Sequence, residues 1–286
     1  MSLVKLRGAG LSLAVDRLGP VDAAPVIFLH GAGQNRRAWD EAAKAVAEMG
    51  WQTFTVDHRG HGDSDWPDEA DYRWDHFAAD VTELVGQMNQ PPVVVGASLG
   101  GVSSLIAQSK VSRQLFRALV LVDVTPSMDI RGVRRILGFM AAHPEGFISL
   151  DEASSIIAQF TGRPKPESAE PLRQVLRLGD DGRWHWHWDT RFLEGRAEKV
   201  VDNPDFHIPE DNDLRIAMLA GAQRVEIPTL VVRGAQSDLV TPEAVQEVVS
   251  MISGSSYVDV AGAGHMVAGD QNDRFINAIT QFLSTL

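Results

Sequence analysis

Val93-Val94-Val95-Gly96-Ala97-Ser98-Leu99-Gly100-Gly101 decides how this chain is read. A short β-branched run enters Gly-x-Ser-x-Gly, and apolar residues at helical spacing follow, through Leu105 to Gln108. The pattern predicts a buried strand, a sharp turn and a helix, with one serine at the apex. Small residues flank the serine because such a turn brings backbone segments too close together for side chains and favours a left-handed conformation. The geometry lifts the Ser98 hydroxyl above a sheet, where it can meet an electrophile.

Outward from this turn, short buried strands alternate with amphipathic helices. Leu3–Arg7 and Leu11–Asp16 read as a hairpin around Gly8-Ala9-Gly10, and Val26–Leu29, Gln52–Val56, Val93–Val95 and Leu119–Val122 as strands. Trp39, Ala42, Ala43, Val46 and Met49 share a helical face, as do Phe77, Val81, Leu84, Val85 and Met88. The alternation resumes with strands at Thr229–Val232 and Tyr257–Val260 and helices at Pro242–Ile252 and Asp273–Leu283. Such a pattern predicts an α/β fold: eight mostly parallel strands, the first antiparallel, covered by helices on both faces. Between Pro126 and Arg224 the alternation stops. Helical stretches at Val133–Ala142, Leu150–Phe160, Leu172–Leu178 and Asp211–Ala222 are joined there by Pro- and Gly-rich loops. We expect residues 1–125 and 225–286 to form the core and 126–224 a helical cap over the carboxyl ends of the strands, where open α/β sheets place ligands.

A serine hydroxyl needs a base within hydrogen-bond reach and a third group to orient that base. Three candidates follow late strands: Asp123 after Val122, Asp238 after the strand ending at Val232, and His265 after Ala261-Gly262-Ala263-Gly264. The order Ser98, Asp238, His265 is the one in which an α/β hydrolase carries its triad. On these residues, together with His30-Gly31-Ala32-Gly33 and Asp57-His58-Arg59-Gly60-His61-Gly62-Asp63-Ser64, the whole chain resembles an α/β-hydrolase-fold serine hydrolase.

The resemblance implies Ser98 as nucleophile, His265 as base and Asp238 as acid, with Asp123 as the rival for the third role. It implies backbone N–H groups of Ala32 and Leu99 as the oxyanion hole, and a structural role for the loop from Asp57 to Ser64. The expected activity is hydrolysis of a small to medium, apolar or aromatic carboxylic ester or lactone, with no cofactor and no metal. Other chemistries of the fold fit less well. Epoxide and haloalkane hydrolases carry Asp where Ser98 stands. Carbon–carbon hydrolases usually have Trp after the histidine and Gly-Pro in the oxyanion loop, where this chain has Met266 and Gln34. Perhydrolases usually have an aromatic residue where Ala32 stands. A non-catalytic ligand receptor of the same shape is the alternative from another class.

Trp184-His185-Trp186-His187-Trp188, if extended, places three indoles on one side and two imidazoles on the other. The Trp184, Trp186 and Trp188 face is a candidate substrate wall, with Gln34 and Met266 as further candidate contacts. His185 and His187 lack a clear third ligand, so no metal site is expected.

Composition narrows the partners. The 286 residues include 26 Lys+Arg and 38 Asp+Glu, a net charge of −12, which disfavours nucleic acid and anionic membranes. The chain has no cysteine, which removes disulfides and thiol nucleophiles. It shows no signal pattern and no apolar run of membrane-spanning length, so a cytoplasmic location, no membrane insertion and small-molecule partners are expected. Its oligomeric state is not legible in the sequence.

Overall fold

The computed structural model describes residues 2–197, 212–264 and 273–286. The fold is built on the strands β1 (Ser2–Arg7), β2 (Ser12–Leu18), β3 (Pro25–Leu29), β4 (Gln52–Val56), β5 (Val93–Ala97) and β6 (Ala118–Val122). They are interleaved with helices α1 (Asp40–Glu48), α2 (Trp74–Gly86) and α3 (Leu99–Ser109). The next segment contributes α4 (Ile130–Ala141), α5 (Leu150–Thr161), a hairpin of β7 (Leu176–Leu178) and β8 (Trp184–Trp186), and α6 (Asp213–Ala222). The chain closes with β9 (Thr229–Gly234), α7 (Pro242–Met251), β10 (Ser255–Val260) and α8 (Asp273–Leu283).

The main sheet has eight strands in the order β1-β2-β4-β3-β5-β6-β9-β10. β1 pairs antiparallel with β2 and β2 antiparallel with β4; the remaining pairs are parallel. The central strands β3, β4, β5 and β6 are buried along their whole length, because helices cover both faces. One apolar layer, from α2, α3 and α6, packs against Ile27, Leu29, Val94, Leu119 and Leu121. The other, from α1 and α8, packs against Val26, Phe28, Val93, Val95 and Val120.

The segment between β6 and β9 departs from the expected helical pattern in one place. Leu172–Leu178 is not a helix: Glu170–Gln174 forms a short 3₁₀ turn, and Leu176–Leu178 pairs antiparallel with Trp184–Trp186. A seven-residue apolar run is short for a helix, and its partner strand lies only a few residues downstream, so local pairing wins. Helix α6 packs on α3 closely enough that a methyl group on Gly221 would overlap the Leu105 carbonyl oxygen, at 1.9 Å. Its Met218 and Ala222 enter the main core. Among the described residues, no helix is long and apolar enough to cross a membrane.

Candidate active site

Strand β5 ends at Ala97 and α3 begins at Leu99, so the whole change of direction falls on Ser98. Its backbone lies at φ 44° and ψ −109°, a strained conformation for a residue with a side chain. The neighbouring glycines make the turn possible. A methyl group on Gly96 would sit 2.6 Å from the Gly101 nitrogen, and one on Gly100 would sit 2.4 Å from the Leu29 carbonyl oxygen. No side chain fits at either place. The Ser98 N–H donates to the Val122 carbonyl at 3.1 Å, tying the turn to β6.

Ser98 lines a cavity of about 590 Å³ between the carboxyl ends of the strands and the segment between β6 and β9. Gly31, Ala32, Gly33 and Gln34 form one wall, and a methyl group on Gly31 would lie 3.5 Å from Ser98 Cβ. Ile136, Phe139, Met140, Ile157 and Phe160 of α4 and α5 form the opposite, apolar wall. Trp186 and Trp188 join them, with rings stacked at 6.4 Å.

The loop after β3 is held in a fixed shape. Gln34 Oε1 accepts the Gly31 N–H at 3.0 Å, so this side chain braces the loop as well as lining the cavity. Arg36 is buried and donates to Asp16 (2.8 Å), Asp57 (2.5 Å) and Asp63 (2.9 Å). Burial opposes the Arg36 charge, but Asp57, Asp63 and Asp16 outweigh it and raise its pKa. Three histidines pack behind the loop. His30 Nε2 accepts from the His58 N–H at 3.1 Å, and its Nδ1 meets the Gly31 carbonyl at 2.8 Å. His61 Nε2 accepts from the Gly33 N–H at 3.2 Å, and its Nδ1 meets the Arg59 carbonyl at 3.0 Å. His30 and His61 therefore each carry their proton on Nδ1. Burial lowers His30 to about 4 and His61 to about 3, and it lowers His58 well below the usual value, so all three are neutral. A neutral ring can accept the Gly33 N–H; a charged one cannot.

The two candidate acids differ sharply. Asp123 directly follows β6, next to the Val122 carbonyl that accepts from Ser98, is 1% exposed and has a positive φ of 48°. Its Oδ1 accepts the Gly234 N–H at 3.1 Å and its Oδ2 the Ser237 hydroxyl at 2.7 Å. Asp238 is 39% exposed, and the Arg135 guanidinium of α4 grips both its oxygens, through Nη2 at 3.0 Å and through Nε. His265 and Met266 lie outside the described residues. The chain leading to them is described as far as Gly264, whose carbonyl oxygen lies 2.4 Å from where a methyl group on Gly234 would sit.

Of the tryptophan triplet, Trp186 and Trp188 line the cavity. Trp184 does not: it pairs with Phe147 through the backbone and lies under Arg173, 4.7 Å from the guanidinium. β8 ends at Trp186, so the extended alternation stops before Trp188, which bridges to His61 instead. His185 faces Asp181 and His187 faces Asp63, on separate sites. The roles of Arg36 and the neutral histidine stack are not legible in the sequence, because their partners come from β2 and from the loops after β3 and β4. The Asp57–Ser64 motif was the available signal.

A strained serine over a cavity, beside a glycine loop and a helix N-terminus, is an arrangement suited to nucleophilic attack with backbone stabilisation of the resulting anion. The model of the alpha/beta hydrolase family matches residues 26–278. This chain belongs to that family. The hydrolase is 28% identical to esterase Rv0045c of Mycobacterium tuberculosis over 286 aligned residues, covering 95% of this chain and 87% of that protein. It is 25% identical to an sn-1-specific diacylglycerol lipase of Mus musculus, covering 93% and 83%. An alpha/beta hydrolase from Novosphingobium aromaticivorans shares the fold with a TM-score of 0.80 at 24% identity, over 100% of this chain and 98% of that one.

Proposed function

We propose that this hydrolase cleaves a carboxylic ester or lactone with an apolar or aromatic acyl group, through an acyl-enzyme on Ser98. The observation that carries the reading is the strained Ser98 backbone, which sets the residue on a cavity with an apolar wall. Ser98 Oγ attacks the ester carbonyl while His265 takes the hydroxyl proton. The tetrahedral oxyanion is held by the Ala32 and Leu99 N–H groups. Its collapse expels the alkoxide, which receives that proton from His265. Water, deprotonated by His265, then attacks the acyl carbonyl, and the second collapse returns the proton to Ser98 and releases the acid.

For the third member we favour Asp123 over the expected Asp238. Asp123 is buried just past the end of the strand that adjoins the Ser98 turn, and its Gly234 partner packs against Gly264, the residue before His265. Asp238 is exposed and ion-paired with Arg135 of α4. The same pairing supports a neutral acyl group, since the Arg135 charge is already matched. The relatives named as an esterase and a lipase support ester chemistry. The test is a chromogenic ester series varied in acyl and alcohol size, with Ser98→Ala as the blank. We expect turnover of apolar acyl esters that Ser98→Ala lacks. Equal activity in Ser98→Ala, or none in either protein, removes the reading.

A further inference from the structure

Trp188 is 2% exposed, yet it lines the cavity. Its position is fixed by backbone: His61 and Trp188 form an antiparallel bridge, the Gly62 N–H donates to the His187 carbonyl at 2.8 Å, and the Asp189 N–H donates to the Gly60 carbonyl at 2.8 Å. The ring itself is clamped between His61, stacked at 6.3 Å, and Trp186. Its single polar atom is Nε1. No acceptor among the described residues meets that N–H, and the nitrogen lies against Gly33, which lines the same cavity.

The glycine loop locates it. A methyl group on Gly31 would touch Ser98 Cβ, and one on Gly33 would lie 3.7 Å from Trp188 Nε1. Two residues of chain span at most about 7 Å, so Ser98 and this donor meet the same short stretch of the loop that lines the cavity. The donor's immediate neighbour is apolar: Met140 Cε lies 3.4 Å and its sulfur 3.9 Å from the same Gly33 position. A buried donor without a partner is costly in such surroundings unless something entering the cavity accepts from it.

We propose that the Trp188 indole N–H is a specificity-determining hydrogen-bond donor, and that the substrate is an ester whose acyl chain carries an acceptor oxygen (ether, hydroxyl, oxo or a further ester) a few bonds beyond the scissile carbonyl. The inference rests on the ester-hydrolase reading and narrows its substrate class. A site built to hydrogen-bond a substrate group disfavours the analogue that lacks it, because its own polar atom is left unpaired.

The test uses p-nitrophenyl methoxyacetate, 3-methoxypropanoate and 4-methoxybutanoate against their carbon isosteres, the butanoate, pentanoate and hexanoate. For at least one chain position, the ether-to-alkyl ratio of kcat/KM is expected to fall five-fold or more in Trp188→Phe. Ratios within two-fold of wild type at every position overturn the proposal. Should Trp188→Phe fail to fold, the wild-type ratio, normalised to alkaline hydrolysis of the same esters, decides: a five-fold rise at one position supports the donor, and a flat profile overturns it. A wild-type protein that cleaves none of the six esters sinks the hydrolase reading, and calorimetry then tests the indole separately. Anilides of the same six acids are titrated into Ser98→Ala protein with and without Trp188→Phe. An ether preference lost with the indole supports the donor; no preference, or no binding, overturns it.

Discussion

Lowering the pH from 7 to 5 is expected to cost the folded state about 4 kcal/mol through His30 and His61 alone. Both rings fold neutral, with pKa values lowered by burial from 6.5 to about 4 and about 3. Between those values and 6.5 the unfolded chain binds protons that the folded chain refuses, so stability rises with pH. The contribution is complete above 6.5 and is lost as the pH falls through 6.5 toward the folded values. At pH 5 both rings are still largely neutral in the fold, so each costs about 2 kcal/mol relative to pH 7. His58, lowered in the same direction by burial and by His30, adds to the loss. Against a typical total of about 5–15 kcal/mol, this is a large fraction. Urea unfolding at pH 7, 6 and 5 reads it directly. His61→Gln keeps an acceptor for the Gly33 N–H but cannot titrate, so its pH-dependent loss is expected to be smaller by about 2 kcal/mol. Equal stability at pH 7 and 5, or the same pH slope in His61→Gln, refutes the neutral stack.

Asp123→Asn is expected to lower kcat roughly 10³–10⁴-fold, and Asp238→Asn less than about ten-fold, in steady-state ester hydrolysis; the reverse ranking returns the third role to Asp238. Gly100→Ala drives a methyl group into the Leu29 carbonyl and is expected to lose about 3 kcal/mol or more in urea melts, whereas Gly86→Ala, with open space around it, changes stability by less than about 1 kcal/mol. Arg36→Met strands three carboxylates and is expected to cost about 3–5 kcal/mol in the same assay.

Local features were legible in the sequence because their cause is local. The Val93–Gly101 stretch contains both the strand and the small residues its turn requires, so the Ser98 elbow could be read without knowing what surrounds it. The eight-strand sheet followed from runs buried on both faces. Whether Asp123 or Asp238 serves the base could not be read that way. Both follow strands in acceptable loops, and the contact that bears on the choice comes from Arg135 of α4, more than a hundred positions away from Asp238. Arg36 was hidden for the same reason, since Asp16, Asp57 and Asp63 meet it only once β2, β4 and the following loop are in place. Trp188 looked like one member of a repeating pattern, yet its position comes from pairing with His61 rather than from the strand before it.

The central claim is that Ser98 is the group that forms the covalent intermediate. Fluorophosphonate treatment of the intact protein followed by peptide mass mapping tests it most directly. The account predicts one stoichiometric adduct, on Ser98, absent from Ser98→Ala. An unlabelled Ser98, or an adduct of equal yield in Ser98→Ala, would contradict it.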